Sequence, residues 1–422
     1  MMKKMISMAL TAAAVFSLAA CSPSEPVSNT TGQAAGEQTA AADQSQGDEA
    51  GETTGAVIGD SVDAADFKVG LICIGDENEG YTAAHYAGIK EMQSALGLSD
   101  AQIIVKWNTP EDESAYDAAV DLADQGCNII FANSFGHEPY ILQAAAEFPE
   151  TQFCHATGYQ AATSGLANMH NYFTAIYESR YVSGVVAGMK LNEMLADGTI
   201  TEAKVGYVGA FPYAEVISGY TSFFLGIRSV CPDATMDVTY TNSWSSFDLE
   251  KEAAESLIAG GCVLISQHAD TTGAPTACEA AGVPVVGYNI SMIATAPTQA
   301  LTSASINWGP YYTYAAQSTM NGTAFDADWS RGYIDGANRI TELNDAAVAE
   351  GTAEKVKEVE AALIAGTLQV FDTATWTVDG ETLDSYEGNG NEYISDGYFH
   401  ESFFASAPAF DIAIDGINSK TN

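Results

Sequence analysis

Basic side chains are scarce in this chain of 422 residues: fifteen Lys and Arg stand against fifty-five Asp and Glu, a formal charge of −40. So acidic a protein has no surface to neutralise a phosphate backbone, which excludes general nucleic-acid binding and disfavours polyanionic ligands. None of the seven Cys forms a Cys-x-x-Cys pair, so neither a zinc site nor a dithiol redox couple is indicated. Cys73, Cys127, Cys154, Cys262 and Cys278 fall in or beside apolar segments, where a thiol acts as a small core residue. Catalytic signatures are also missing. Without a Gly-x-Ser-x-Gly elbow, a His-Glu-x-x-His or a paired His/Cys ligand set, no enzyme, metal or cofactor is expected. Beyond the N-terminal region no apolar run is long enough to span a bilayer.

What is present begins with an export signal. Met1-Met2-Lys3-Lys4 is a short positive region, and the apolar run from Met5 to Phe16 is too short for a stable span. It ends in Leu18-Ala19-Ala20-Cys21-Ser22. Small residues before a cut, with Cys directly after it, are what lipoprotein processing and diacylglyceryl attachment require. Residues 1–20 are therefore expected to be a signal peptide and Cys21 to carry lipid. The tract 21–66 is made of Ser, Thr, Gly, Ala, Gln, Glu and Asp with almost nothing apolar. It cannot bury enough surface to offset its chain entropy, so a disordered tether is expected. The expected location is the extracytoplasmic face of the cell membrane, reached through the lipid anchor.

The folded part carries an internal echo. Lys204-Val205-Gly206-Tyr207-Val208 follows the pattern of Lys68-Val69-Gly70-Leu71-Ile72, 136 residues earlier. Leu257 to Ile265, with Gly261-Cys262, follows Leu122 to Ile130, with Gly126-Cys127, at an offset of 135. Two matches in register point to one α/β unit used twice, hence two lobes and a cleft. Strands are expected at Lys68–Ile74, Gln102–Trp107, Asn128–Ala132 and Gln152–Ala156, and again at Lys204–Val208, Met236–Thr241, Val263–Gln267 and Val283–Tyr288. Helices of about ten residues or more separate them, the signature of a parallel sheet covered on both faces. The expected fold is two doubly wound Rossmann-like lobes joined by a multi-strand hinge. Lobe one would take 67–170 and 301–322, and lobe two 171–300 and 323–422. The aromatic, Gly-rich segment from Leu383 shows no clear period.

Ligands of doubly wound sheets contact the loops at the carboxyl ends of strands. Those loops hold Asn78, Tyr81, Thr82 and His85 after the first strand, Phe135 after the third, and Phe211, Trp244, Asp270 and Asn289 in the second lobe. Aromatic faces alternate there with amide, hydroxyl and carboxyl groups, which suits a flat, uncharged heterocycle stacked on rings and read at its edge. No Lys or Arg stands in these loops to meet a phosphate or carboxylate. Each residue has a plainer reading: Tyr81 and His85 as core, Asp270 as a helix cap, His268-x-Asp270 as half a metal site too small to hold one.

Gly80-Tyr81-Thr82-Ala-Ala-His85, Phe223-Phe224, Asn242-Ser243-Trp244, Gln267-His268-Ala269-Asp270-Thr271 and Asn307-Trp308-Gly309-Pro310-Tyr311-Tyr312 together resemble the basic membrane protein (BMP) family over Lys68 to about Phe371. The resemblance implies a type I periplasmic-binding-protein fold and the substrate-binding lipoprotein of an ABC importer, with a permease and an ATPase as partners. It also implies a purine nucleoside or purine base as ligand. Tyr81 stands where the family has its stacking Phe, Thr82 replaces the Asn that follows, and a second stacking Phe falls at Gly219. The family's Asp-Ser-Asp strand end reads Asn289-Ile290-Ser291, and its lysine falls at Ile306. Loss of these groups, which resemble the sugar site, favours a base over a nucleoside. A monomer is expected. A sugar receptor of the same fold and a ligand-sensing lipoprotein feeding a signalling partner are the alternatives.

Overall fold

The computed structural model describes residues 59–420. The signal peptide 1–20, Cys21 with its lipid, and the tether up to residue 58 lie outside the described residues. The end of the expected tether is not loose chain. The Val62 amide donates to Met320 O at 2.8 Å, and its side chain packs with the buried Phe67 against the core of the first lobe.

In chain order the main elements are β1 (Val69–Ile72), α1 (Gly80–Leu96), β2 (Ile103–Lys106), α2 (Glu113–Asp124), β3 (Ile129–Ala132), α3 (Glu138–Glu147), β4 (Gln152–Ala156), α4 (Ala161–Ser164) and β5 (Met169–Tyr172). The chain continues through α5 (Ile176–Ala196), β6 (Lys204–Gly209), α6 (Ala214–Val230), β7 (Thr235–Tyr240), α7 (Phe247–Ala259), β8 (Leu264–His268), α8 (Gly273–Ala281), β9 (Val285–Tyr288) and β10 (Ala300–Ile306). Then follow α9 (Gly309–Met320), β11 (Asp328–Trp329), β12 (Asn338–Ile340) and α10 (Thr352–Ile364). One parallel sheet runs β11-β5-β4-β3-β1-β2. The other runs β12-β10-β9-β8-β6-β7 and ends on the strand Ile417–Lys420; it is parallel except where β12 meets β10. β1, β3 and β4 are buried along their whole length, as strands covered by helices on both faces must be.

The echo is a packing rule. A Cβ on Gly70 would come within 2.9 Å of Leu122 Cδ1, and one on Gly206 within 3.0 Å of Leu257 Cβ. Each lobe thus leaves its first strand bare at the same place to seat the same helical leucine. Gly126 and Gly261 then end α2 and α7 at φ +80° and +88°, a left-handed turn that glycine takes without strain.

The chain crosses between the sheets three times, after β5, after β10 and between β11 and β12, and these crossings form the hinge. The sheet pairings differ from the expected boundaries at three points. Residues 301–306, expected in lobe one, are β10 of the second sheet, while α9, which follows, packs on α1 of the first. Asn171 and Tyr172, expected in lobe two, belong to β5 of the first sheet. Asp328 and Trp329 pair with Asn171 and Tyr172, so β11 also returns to the first sheet. A short strand followed by a crossing has no sequence mark that says which sheet receives it.

The segment after α10 is core rather than appendage. Phe371, Trp376, Phe399 and Phe410 are buried together, with Phe371 and Phe410 stacked at 4.4 Å, and the terminal strand closes the edge beside β7. The six described cysteines, Cys231 included, are buried and free of disulfides.

α5 and α6 approach closely because both carry glycine at the contact. A Cβ on Gly184 would lie 2.1 Å from Phe223 O, and one on Gly226 would lie 2.1 Å from Tyr181 O. Gly184→Ala is therefore expected to cost roughly 1–3 kcal/mol of stability, read as a lower urea midpoint with an unchanged slope. An unmoved midpoint would contradict the packing.

Candidate functional site

A cavity of about 510 Å³ opens between the carboxyl ends of the two sheets. Both lobes contribute to it, and the Gly80 amide of the first donates to Asp270 O of the second at 3.3 Å beside it. The strand ends turn sharply into the loops. Asn108 after β2 and Asn242 after β7 sit at φ 53° and 55°, and Thr157 after β4 and Asn289 after β9 sit at φ 66° and 65°. Equivalent strands in the two lobes thus use the same left-handed step, sparsely populated outside glycine and concentrated where a site imposes it.

Of the residues singled out from sequence, Asn78, Tyr81, Phe135, Trp244 and Asp270 line the cavity. Thr82, His85, Phe211 and Asn289 do not; each stands one layer back and holds a lining group. Thr82 Oγ1 is 3.3 Å from both the Gly75 amide and Asn133 Nδ2, so it fixes the β1–α1 loop. His85 is buried, stacked on Trp308 at 3.9 Å and bonded to the Tyr312 hydroxyl, and it meets the edge of Tyr81 at 4.4 Å. Burial holds its pKa well below the ordinary value, so it is a neutral prop for Tyr81. Phe211 stacks on Tyr213 at 5.1 Å and meets Trp244 at 5.2 Å, backing the indole. Asn289 Nδ2 donates to Asp270 Oδ1 at 2.8 Å and orients that carboxylate. His268 and Asp270 make no metal pair: His268 Nε2 turns to Glu215 Oε1 at 3.3 Å, while Asp270 takes Asn289.

Sequence reading did not single out Glu79, Glu215, Phe247 or Tyr288, and it weighed His268 only as a metal ligand; all five line the cavity. Glu79 caps α1, accepting from the Tyr81 and Thr82 amides at 2.6 and 2.8 Å, and so places Tyr81 at the cavity wall. Glu215 stands 136 residues after Glu79, the same offset as the first echo, and that signal could have found it. Behind the wall, Glu250 accepts from the Thr271 and Ser246 amides at 3.1 and 3.2 Å and ties the Trp244 loop to the Asp270 loop.

The electrostatics are one-sided. Burial raises the Glu215 carboxyl to about 7, with Arg180 opposing it, and raises Glu250 to about 7. Burial, then the neighbouring charges of Glu79, Glu250 and Glu215, raise Asp270 well above the ordinary range. Burial holds His268 well below its ordinary pKa. Arg180 is buried behind the wall, 3.6 Å over the Tyr288 ring, with Nη1 on Gln267 O at 2.7 Å. Among the described residues, no Lys or Arg lines the cavity.

Residues 69–370 match the family described as "ABC transporter substrate-binding protein PnrA-like". A purine-binding protein of Brucella abortus is 33% identical over 337 residues, 78% of this chain and 92% of that protein. A protein of Haloferax volcanii named as an ABC transporter glucose-binding protein is 36% identical over 204 residues, 48% of this chain and 49% of its own length. Among solved structures, a solute-binding protein of an ABC transporter system from Conexibacter woesei superposes with a TM-score of 0.60 at 21% identity. That match covers 72% of this chain and 98% of the other, and it speaks for the fold alone.

Raised carboxyls contribute a pH-dependent term to stability. Unfolded, Glu215 and Glu250 titrate near 4.5; folded, they titrate near 7. Between these values the unfolded chain sheds protons that the native state keeps on these groups, so their contribution to stability falls as pH rises from about 4.5 to 7. Buried histidines held low, His85 and His268 among them, act in the opposite sense, so the carboxyl term is read by difference. The melting temperature of the ligand-free protein minus that of Glu215→Gln is expected to fall from pH 5 to pH 7.5, and a difference that stays constant over this interval would contradict the burial of Glu215.

Proposed function

The chain belongs to the PnrA-like family of ABC transporter substrate-binding proteins, and from that premise we propose that it binds a purine base between its lobes and delivers it to a permease. The observation that carries this reading is the cavity itself: Tyr81 from one lobe and Trp244 from the other line one space, with Phe135 and Phe247 beside them. Flat walls of this kind stack a heterocycle, and carboxyl and amide groups read its N–H and ring-nitrogen edge. The volume falls within the range of small-molecule pockets. The name of the Brucella relative supports a purine in particular.

A base is favoured over a nucleoside. At the strand end where the family resemblance implies sugar-binding groups, Asn289 is taken up by Asp270, Ser291 Oγ turns to Glu342 at 2.8 Å, and Ile290 presents an apolar side chain to the cavity. Ile306 is buried in β10. A sugar is the second reading, favoured by the number of carboxyl groups in the wall and by the name of the Haloferax relative. Export, lipid attachment at Cys21 and an extracytoplasmic place beside an ATPase and permease complete the proposal. A neighbouring kinase gene in place of transporter genes would redirect it to sensing.

Binding is governed by differential contact: a ring touching both walls favours the closed arrangement of the lobes over the open one. Calorimetric titration with adenine, guanine, hypoxanthine, xanthine, their nucleosides and glucose is expected to give heat with a purine base. Heat with glucose alone, or with none of them, would overturn the purine reading. Trp244→Ala is expected to weaken binding by roughly 1–3 kcal/mol, the worth of one stacked base, with the thermal unfolding profile retained. Unchanged affinity would remove Trp244 from the site.

A further inference from the structure

The wall of the cavity combines aromatic rings with carboxyl groups and holds no cation. Asp76 and Glu79 come from the first lobe and Glu215 and Asp270 from the second, set among Tyr81, Phe135, Trp244, Phe247 and Tyr288. Two cavity hydroxyls, those of Tyr81 and Tyr288, have no hydrogen-bond partner within the protein, and Tyr288 is only 2% exposed. Buried polar groups are nearly always hydrogen-bonded, so two unsatisfied hydroxyls on residues that line one cavity call for a partner there. Ring faces attract positive charge through their quadrupoles, and carboxylates do so directly; aromatic cages use the first effect to hold quaternary ammonium groups.

We propose that this site takes its planar ring in cationic form, the positive charge lying between Glu215 and Asp270 and facing the aromatic wall. This rests on the reading of the cavity as the ligand site and narrows its ligand class. The groups around the two carboxyls permit it. Glu215 faces His268, Tyr81 and Tyr288, with Arg180 held behind the Tyr288 ring. Asp270 faces Glu79, Glu250 and Glu215, with Asn289 donating to it. The charges that act on Asp270 are all acidic, whereas Arg180, bonded to Gln267 O and stacked on the Tyr288 ring, acts by charge on Glu215 and offsets part of its burial. In this arrangement Glu79 of the first lobe already acts by charge on Asp270 and Glu250 of the second, a proximity that repels unless a positive charge or a proton joins them.

The proton balance follows. With a ring of fixed charge, a protonated carboxyl of the empty site loses its proton to the buffer and pairs as carboxylate with the cation. With a weakly basic amino ring, the carboxyl proton moves onto a ring nitrogen, and no proton leaves. The raised Glu215, near 7, supports the first case at physiological pH.

The test is titration calorimetry of the wild-type protein in two buffers of different ionisation enthalpy, with thiamine as a planar ring of fixed charge, adenine as an amino ring, and hypoxanthine and xanthine as oxo rings. Thiamine is expected to bind with proton release and to gain about tenfold in affinity from pH 6 to 8; adenine is expected to bind at least tenfold more tightly than hypoxanthine. Glu215→Gln is expected to abolish the pH dependence for thiamine while leaving the unfolding transition cooperative. Thiamine binding with proton release and no purine binding would sustain the cationic site and overturn the purine reading. Oxo rings binding as tightly as adenine, with neither pH dependence nor proton exchange, would overturn the cationic site and leave the purine reading standing. No binding by any of the four would overturn both.

Discussion

Everything at the centre of this protein follows from bringing acidic groups of two lobes face to face with no Lys or Arg among the described residues that line the space between them. After the first strand of each lobe stands a glutamate, Glu79 capping α1 in one and Glu215 in the first turn of α6 in the other, and Asp270 reaches in from the second lobe. Carboxyl groups removed from water and set near one another hold their protons or await a partner that supplies donors or charge. The cleft is therefore not a neutral slot that happens to be lined by rings. Its chemistry asks for a flat molecule with a donor edge, and its shape places that molecule where only both lobes together can enclose it.

The supporting layer explains why the lining is so well positioned. Tyr81 leans on His85, which leans on Trp308 and Tyr312, so the Trp-Gly-Pro-Tyr-Tyr stretch acts through a column of rings rather than by touching the cavity. A Cβ on Gly88 would come within 2.5 Å of Trp308 Cβ, which is how α1 and α9 close tightly enough to build that column. On the other side Glu250 joins two loops, Asn289 aims Asp270, and Phe211 backs Trp244. These residues position the site without entering it.

Much of this was legible in the sequence because duplication writes the same constraints twice. Gly70 with Leu122 and Gly206 with Leu257 are one packing solution, visible as a repeated pattern before any coordinates. The helix Gly309–Met320 carries its start in the sequence, because Pro310 stands in its first turn. What could not be read is equally specific. Which sheet receives β10 or β11 depends on three chain crossings that leave no local mark. The aromatic segment after Leu383 builds a core from short hairpins whose partners lie far away in sequence. At the site, strand-end aromatics were legible by type, but whether a residue faces the cavity or props its neighbour is decided by one turn of helix, as Tyr81 and His85, four residues apart in α1, show. Glu215 was missed although the repeat offset pointed straight to it from Glu79.

The central claim is that a planar ring is held jointly by both lobes. A crystal structure of the protein with adenine, or with whatever cargo it retains on purification, tests this most directly. The account predicts ring density between Tyr81 and Trp244, within hydrogen-bond reach of Asp270 or Glu215, touching both lobes at once. A ligand seated against one lobe alone, or in a different crevice with this cavity left to water, would contradict it.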